Sequence, residues 1–218
     1  MPSTRYQKIN AHHYRHIWVV GDIHGEYQLL QSRLHQLSFF PEIDLLISVG
    51  DNIDRGPESL DVLRLLNQPW FTSVKGNHEA MALEAFETGD GNMWLASGGD
   101  WFFDLNDSEQ QEAIDLLLKF HHLPHIIEIT NDNIKHAIAH ADYPGSEYLF
   151  GKEIAESELL WPVDRVQKSL NGELQQINGA DYFIFGHMMF DNIQTFANQI
   201  YIDTGSPNSG RLSFYKIK

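Results

Sequence analysis

Three short apolar runs punctuate the first third of the chain, and each ends in a glycine followed by polar residues. Ile17 to Val20 runs into Gly21-Asp22, Leu45 to Val49 into Gly50-Asp51, and Phe71 to Val74 leads to Gly76-Asn77. Runs of four or five residues rich in Val, Ile and Phe read as strands covered on both faces. Amphipathic stretches between them predict helices over about 28–37, 59–66 and 80–87. Ser108 with Gln111 three positions on forms a capping-box pattern and starts a further helix, with Ala113, Ile114, Leu117 and Leu118 on one side. The second half offers strands at 126–129, 135–139, 182–185, 199–202 and 212–217, linked by turn-rich segments at 130–133 and 206–210. An order of βαβα first and mainly β later predicts an α/β fold of two packed sheets with helices outside. No internal repeat or linker breaks it, so the chain reads as a single domain over 1–218 with an N-terminal extension of about fifteen residues.

Composition narrows the chemistry. The chain of 218 residues is 42% hydrophobic, which excludes disorder as its main state. Fifteen basic against thirty acidic residues give a formal charge of −15, a field that repels polyanions and argues against nucleic acid as a partner. There is no cysteine, so any metal must be held by His, Asp, Asn or Glu, and twelve histidines are present to do so. No apolar stretch reaches the ~18 residues of a membrane span, and no apolar leader is evident; the expectation is a cytoplasmic protein with no membrane partner.

The polar residues at the ends of the apolar runs are Asp22 and His24, Asp51 with Asp54 and Arg55, Asn77 and His78. His140 and His187 end later strands. Ligands collect at carboxyl strand ends in α/β sheets, where a glycine permits a sharp turn. Oxygen and imidazole donors alone suit Mn, Fe, Zn or Mg, and a dinuclear site with Asp51 as the shared carboxylate is the economical reading.

The ordered set GD-x-HG (21–25), GD-x-x-DRG (50–56), GNHE (76–79), HAD (140–142) and GH (186–187) resembles the PPP family of metal-dependent serine/threonine protein phosphatases, within the calcineurin-like metallophosphoesterases. The resemblance runs from about residue 17 to the C-terminus and is supported by Gly98-Gly99, Asp142-Tyr143-Pro144 and the segments 196–199 and 201–205. It implies a central β-sandwich flanked by helices. It implies two divalent cations per chain, most often Mn, with Fe, Zn, Ni or Co as alternatives. Asp22, His24 and Asp51 would hold the first, and Asp51, Asn77, His140 and His187 the second. His78 would be the general acid with Asp54 orienting it, while Arg55 and Asn77 would bind the phosphoryl group. A hydroxide between the cations would attack phosphorus in line. Phosphorylated proteins are the implied partners, with phosphoserine and phosphothreonine hydrolysed first and phosphotyrosine, phosphohistidine and aryl phosphates in addition. Two divalent cations outweigh the carboxylates of Asp22 and Asp51, so an acidic protein can still bind phosphate.

Members close to this pattern carry a second phosphate-clamping arginine two residues after a tryptophan that corresponds to Trp161. Val163 stands there, and Arg165 is the substitute candidate. Gly98-Gly99-Asp100 and Gly186-His187-Met188-Met189 also depart from the family and bear on substrate preference. Glu79 reads as an acid complementing a helix dipole, outside the site. Trp94, Trp101 and Phe102 read as core, with groove lining as the alternative. His12, His13 and His16, and His121, His122 and His125, lack a fourth ligand for zinc and read as solvated or packed. The rival enzyme is a symmetrical dinucleotide polyphosphate hydrolase, whose pattern has alanine at Asp54 and aspartate at Glu79. A binding scaffold without turnover would be expected to have lost His78 or a ligand.

Overall fold

The structure is a computed structural model that describes residues 4–218. In chain order it contains β1 (Tyr6–Asn10), β2 (Ile17–Val20), α1 (Tyr27–Gln36), β3 (Leu45–Ser48), α2 (Ser59–Arg64), β4 (Phe71–Ser73), α3 (Asn77–Thr88), α4 (Asn92–Ala96), α5 (Asp107–Leu117), β5 (Ile126–Asn131) and β6 (Ile134–Ile138). There follow α6 (Ser157–Leu160), α7 (Asp164–Leu170), β7 (Tyr182–Phe185), β8 (Gln194–Phe196), β9 (Gln199–Tyr201), α8 (Ser206–Ser209) and β10 (Phe214–Lys216). They form a four-stranded sheet ordered β10-β2-β3-β4 and a six-stranded sheet ordered β1-β5-β6-β7-β9-β8.

The pleat explains why the strands are apolar on both faces. Ile17 and Val19 of β2, with Leu45 and Ile47 of β3, point inward against Ile127, Ile129, Ile138, Ile184 and Ile200 of the other sheet. Their alternating neighbours Val20 and Leu46 face outward beneath Leu30, Leu34 and Val62 of the covering helices. On the far side, Ala137, Phe183, Phe185 and Tyr201 are covered by Tyr143, Leu159, Leu160 and Val166. This is the β-sandwich flanked by helices that the motif pattern implied.

Three local differences have physical causes. The helix expected to be capped by Ser108 and Gln111 starts two residues earlier, because the Asn106 side chain accepts from the Ser108 and Glu109 amides while Glu109 reaches back to the Asn106 amide. The helix expected from residue 80 begins at Asn77, because the Glu79 carboxylate accepts the Gly76 amide. Residues 6–10, read as part of an extension, form β1 and pair in parallel with β5.

An ion-paired cluster pins the start of β1. The Arg5 amide donates to His125 Nδ1 at 3.0 Å, His125 Nε2 lies 3.2 Å from Glu156, and Lys75 pairs with Glu156 at 2.9 Å. The hydrogen bond from His125, with Lys75 beside it, holds the Glu156 carboxyl down at about 2 against an ordinary 4.5. A depressed carboxyl stabilises the fold above its unfolded value, and that contribution is lost as pH falls through the folded value. Glu156→Gln should therefore lower Tm at pH 7, with the deficit shrinking as pH drops from about 4.5 towards 2; a deficit independent of pH in thermal scans would contradict this.

Candidate metal centre

Strands β2, β3 and β4 run parallel in one sheet and β6, β7 and β9 parallel in the other. Their carboxyl ends meet across the sandwich. The amides of Ile23 and His24 donate to the Asp51 carbonyl, His140 Nδ1 lies 2.8 Å from the Val49 carbonyl, and the His187 amide donates to the Asp22 carboxylate at 3.0 Å. The loops after β2, β3, β4, β6 and β7 thus deliver Asp22, His24, Asp51, Asn77, His140 and His187 to one place, with only His187 more than slightly exposed.

The turns bear unusual backbone. His24 (φ 46°), Asp51 (φ 50°), Asp54 (φ 74°), Arg55 (φ 71°) and His187 (φ 63°) all adopt the left-handed region, a conformation worth roughly 1–3 kcal/mol of strain for such residues. The sequence reading gave the sharp turns to the glycines; the structure shares them between Gly25 (φ 68°) and Gly50 (φ 95°) and the site residues themselves. Gly76 is needed for a different reason, since a Cβ there would run into Asp51 and Glu79.

Two groups of side chains converge tightly enough to hold cations: His24, Asp51 and His78, and Asp51, His140 and His187, each with donor atoms within 4.8 Å of one another. Asp51 belongs to both. The hydrogen bonds select the imidazole tautomers. His24 Nδ1 donates to the Ile53 carbonyl at 2.8 Å and His140 Nδ1 to that of Val49, which leaves each Nε2 lone pair facing the cluster. Burial pushes His24 down to about 3 and His187 to about 4, and lowers His140, so all three are neutral near pH 7. The Asn77 amide oxygen lies 2.7 Å from His140 Nε2 and 3.0 Å from His187 Nδ1. An amide oxygen facing the lone pair of a neutral imidazole is a pair of acceptors, which a shared cation reconciles. The donor set fits divalent metal.

The carboxylates point the same way. Burial, then Asp203 and Asp51, pushes Asp22 well up, and burial raises Asp203 to about 6. Burial acts upward on Asp51 too, but His140, His78 and His24 outweigh it and hold that carboxyl well below the ordinary range. Concentrating these acids out of water is expensive without cations to neutralise them.

At the mouth, the exposed Arg55 places Nη1 3.0 Å from His24 Nε2 and Nη2 2.9 Å from His78 Nε2. His78 Nδ1 is 2.7 Å from Asp54 Oδ2. Burial opposes charge on His78, yet Asp51 and Asp54 outweigh it and raise its proton affinity.

Arg165, the substitute candidate for the clamp, is engaged with the loop after His140. Its Nε donates to Asp142 at 2.8 Å and its Nη2 to the carbonyls of Tyr143 and Gly145 at 2.9 and 2.6 Å. A buried guanidinium spent on those acceptors braces the loop after His140, and among the described residues it makes no hydrogen bond to Arg55 or to any member of the cluster.

Glu79 and Asp203 were left out by sequence reasoning. Glu79 is fully buried and its carboxylate accepts the amides of Asp51, Asn52 and Gly76, each at 2.8 Å. It fastens two ligand loops together instead of merely complementing a dipole. The signal for Asp203 was present, because Ile200 to Ile202 ends in Asp203-Thr204-Gly205 much as the first strands end in Gly-Asp. Of the remaining histidines, His125 is a packed residue beneath β1 and none enters either cation-holding group. Replacing Glu79 by Gln turns one accepting oxygen into an amide NH2 that faces backbone donors and should destabilise the fold by about 1–3 kcal/mol; an unchanged urea midpoint would exclude the tethering role.

Comparison with known proteins places this geometry in a family. The model of the calcineurin-like phosphoesterases matches residues 15–190. The chain is 99% identical to serine/threonine-protein phosphatase 2 of Escherichia coli (strain K12) and 60% identical to the protein of that name from Salmonella typhimurium, each over the full length of both chains. A solved structure described as a "putative diadenosine tetraphosphatase" superposes with a TM-score of 0.71 at 22% identity, over 98% of this chain and 94% of that one, a likeness of fold alone. The chain belongs to the calcineurin-like phosphoesterase family, as a phosphatase of its PPP branch.

Proposed function

We propose that the protein removes phosphate from phosphoserine and phosphothreonine on protein substrates, and also from phosphotyrosine, phosphohistidine and aryl phosphates. The observation that carries this reading is that two cation-holding groups share Asp51, and that His78, which falls in the first of them while Asp22 falls in neither, is hydrogen-bonded to both Arg55 and Asp54. The serine/threonine assignment is supported by the name of the near-identical relative. Asp22, His24 and Asp51 are assigned to one divalent cation, and Asp51, Asn77, His140 and His187 to the other, with Mn the preferred metal. When bound, the cations neutralise phosphoryl oxygens and acidify water for attack at phosphorus.

The protein's own groups do the remainder. Arg55 stands at the mouth with its guanidinium exposed and matches two phosphoryl oxygens in bidentate fashion. Its N–H groups now donate towards His24 Nε2 and His78 Nε2. Phosphate, the stronger acceptor, draws them away and leaves His78 Nε2 free to carry a proton. Asp54 keeps Nδ1–H of His78 engaged, so Nε2 is the nitrogen that delivers the proton to the departing alkoxide. Arg165 holds the Asp142-to-Gly145 loop instead of clamping phosphate.

Two features favour a protein phosphatase over a dinucleotide polyphosphate hydrolase. Asp54 stands where that pattern has alanine, and Glu79 where it has aspartate. The test is phosphate release from p-nitrophenyl phosphate, a phosphothreonine peptide and diadenosine tetraphosphate by chelator-treated protein, with and without Mn²⁺. Hydrolysis of the first two should return with metal and be abolished in Asp22→Asn. Turnover confined to the dinucleotide would overturn the substrate assignment, and wild-type turnover by Asp22→Asn would overturn the metal assignment. On the phosphothreonine peptide, His78→Asn should lower kcat by about 10²–10⁴-fold.

A further inference from the structure

Two tryptophans that the hydrolytic scheme does not use converge on Asp54. Trp94 Nε1 donates to Oδ1 at 3.0 Å and to Oδ2 at 3.1 Å, and Trp101 Nε1 donates to Oδ1 at 2.8 Å. Oδ2 faces His78 Nδ1 at 2.7 Å. Asp54 is fully buried, and the indoles that reach it are 4% and 8% exposed. We propose that Trp94 and Trp101 are positioning residues for proton donation: they hold the Asp54 carboxylate, and through it the ring orientation and tautomer of His78, without touching substrate or cation. This rests on the reading of His78 as the proton donor.

The choice of donor matters. An indole N–H can only donate, whereas a hydroxyl can rotate to accept and an amide can present its oxygen. Two such donors on one carboxylate set its plane and leave Oδ2 directed at His78. A lysine or arginine in the same place would neutralise Asp54 and weaken its pull on the imidazole. The indole bodies also keep water from the Asp54–His78 hydrogen bond, which strengthens it.

The surrounding packing makes the donors stiff. Trp94 and Trp101 meet edge to face at 6.2 Å, and Phe102 lies 5.9 Å from the first ring and 6.1 Å from the second. Phe86 closes on Trp94 at 5.6 Å. Gly98 and Gly99 permit this arrangement. A Cβ on Gly99 would strike the Trp94 ring, and Gly98, at φ 106°, offers its carbonyl to the Arg55 amide at 3.1 Å. The segment that carries both tryptophans is thereby fastened to the left-handed turn at Asp54 and Arg55.

The experiment compares kcat and KM of the Mn²⁺-loaded protein on two substrates that differ in their need for a proton. A phosphothreonine peptide releases an alkoxide, which needs one; 2,4-dinitrophenyl phosphate releases a phenolate, which does not. Trp94→Phe and Trp101→Phe delete the N–H and keep an aromatic ring, and the dinitrophenyl ester controls for the ring volume they also remove. Each should lower kcat on the peptide about tenfold with little change in KM, and change kcat on the dinitrophenyl ester less than about twofold. Added to His78→Asn, neither should lower the rate further. Equal losses on both substrates, or none on either, would overturn the inference while leaving the His78 reading intact, provided His78→Asn itself separates the substrates. If His78→Asn does not separate them, the proton-donor reading falls and this inference with it. Should a Phe variant not fold, hydrogen exchange in the wild-type protein reads the same contact: both indole N–H groups must be protected, and fast exchange at both overturns the proposal.

Discussion

The structure is organised around a cost, the burial of Asp22, Asp51, Asp203 and Glu79 at the meeting point of two sheets. Four acids in so small a dry volume repel one another, and each is met by a particular donor. Glu79 takes three backbone amides, Asp22 the His187 amide, Asp51 the His78 amide and Asp203 the Gly205 amide. These bonds offset part of the desolvation. The remainder is of the kind that cations relieve, and the neutral imidazoles of His24, His140 and His187 complete a donor set suited to them.

Much else follows from keeping that arrangement dry and rigid. Parallel strands from both sheets end at the same place, so short loops suffice to bring distant residues together. Left-handed backbone at His24, Asp51, Asp54, Arg55 and His187 aims their side chains, and the two sheets supply the packing that holds the strain. Arg165 acts one layer out by bracing the loop after His140. Arg55 is the exception, an exposed cation at the mouth of an acidic cluster.

The residues of the cluster were legible because their signal is local: an apolar run, a glycine and a polar group, repeated strand after strand. The sandwich was legible for the same reason, since Ile17 to Val20 and Leu45 to Val49 are apolar on both faces. What escaped depends on long-range geometry. Trp94 and Trp101 are 40 and 47 residues from Asp54, and they pack like core because they are core, with one polar atom each turned towards the site. Glu79 sits where a helix dipole would account for it, and only the folded loops reveal its three amide partners. Arg165 was read from proximity to a missing arginine, whereas its partners Asp142, Tyr143 and Gly145 are set by how the chain turns after β6.

Fold alone does not choose a substrate, as the likeness to a protein described as a tetraphosphatase illustrates. The cluster itself is the firmer ground, and its dependence on shared cations is open to direct measurement. Calorimetric titration of Mn²⁺ into chelator-treated protein, for the wild type and Asp51→Asn, tests it. Two equivalents bound by the wild type, with both sites weakened in the variant, is the expected result; a single equivalent, or binding indifferent to Asp51, would contradict the account.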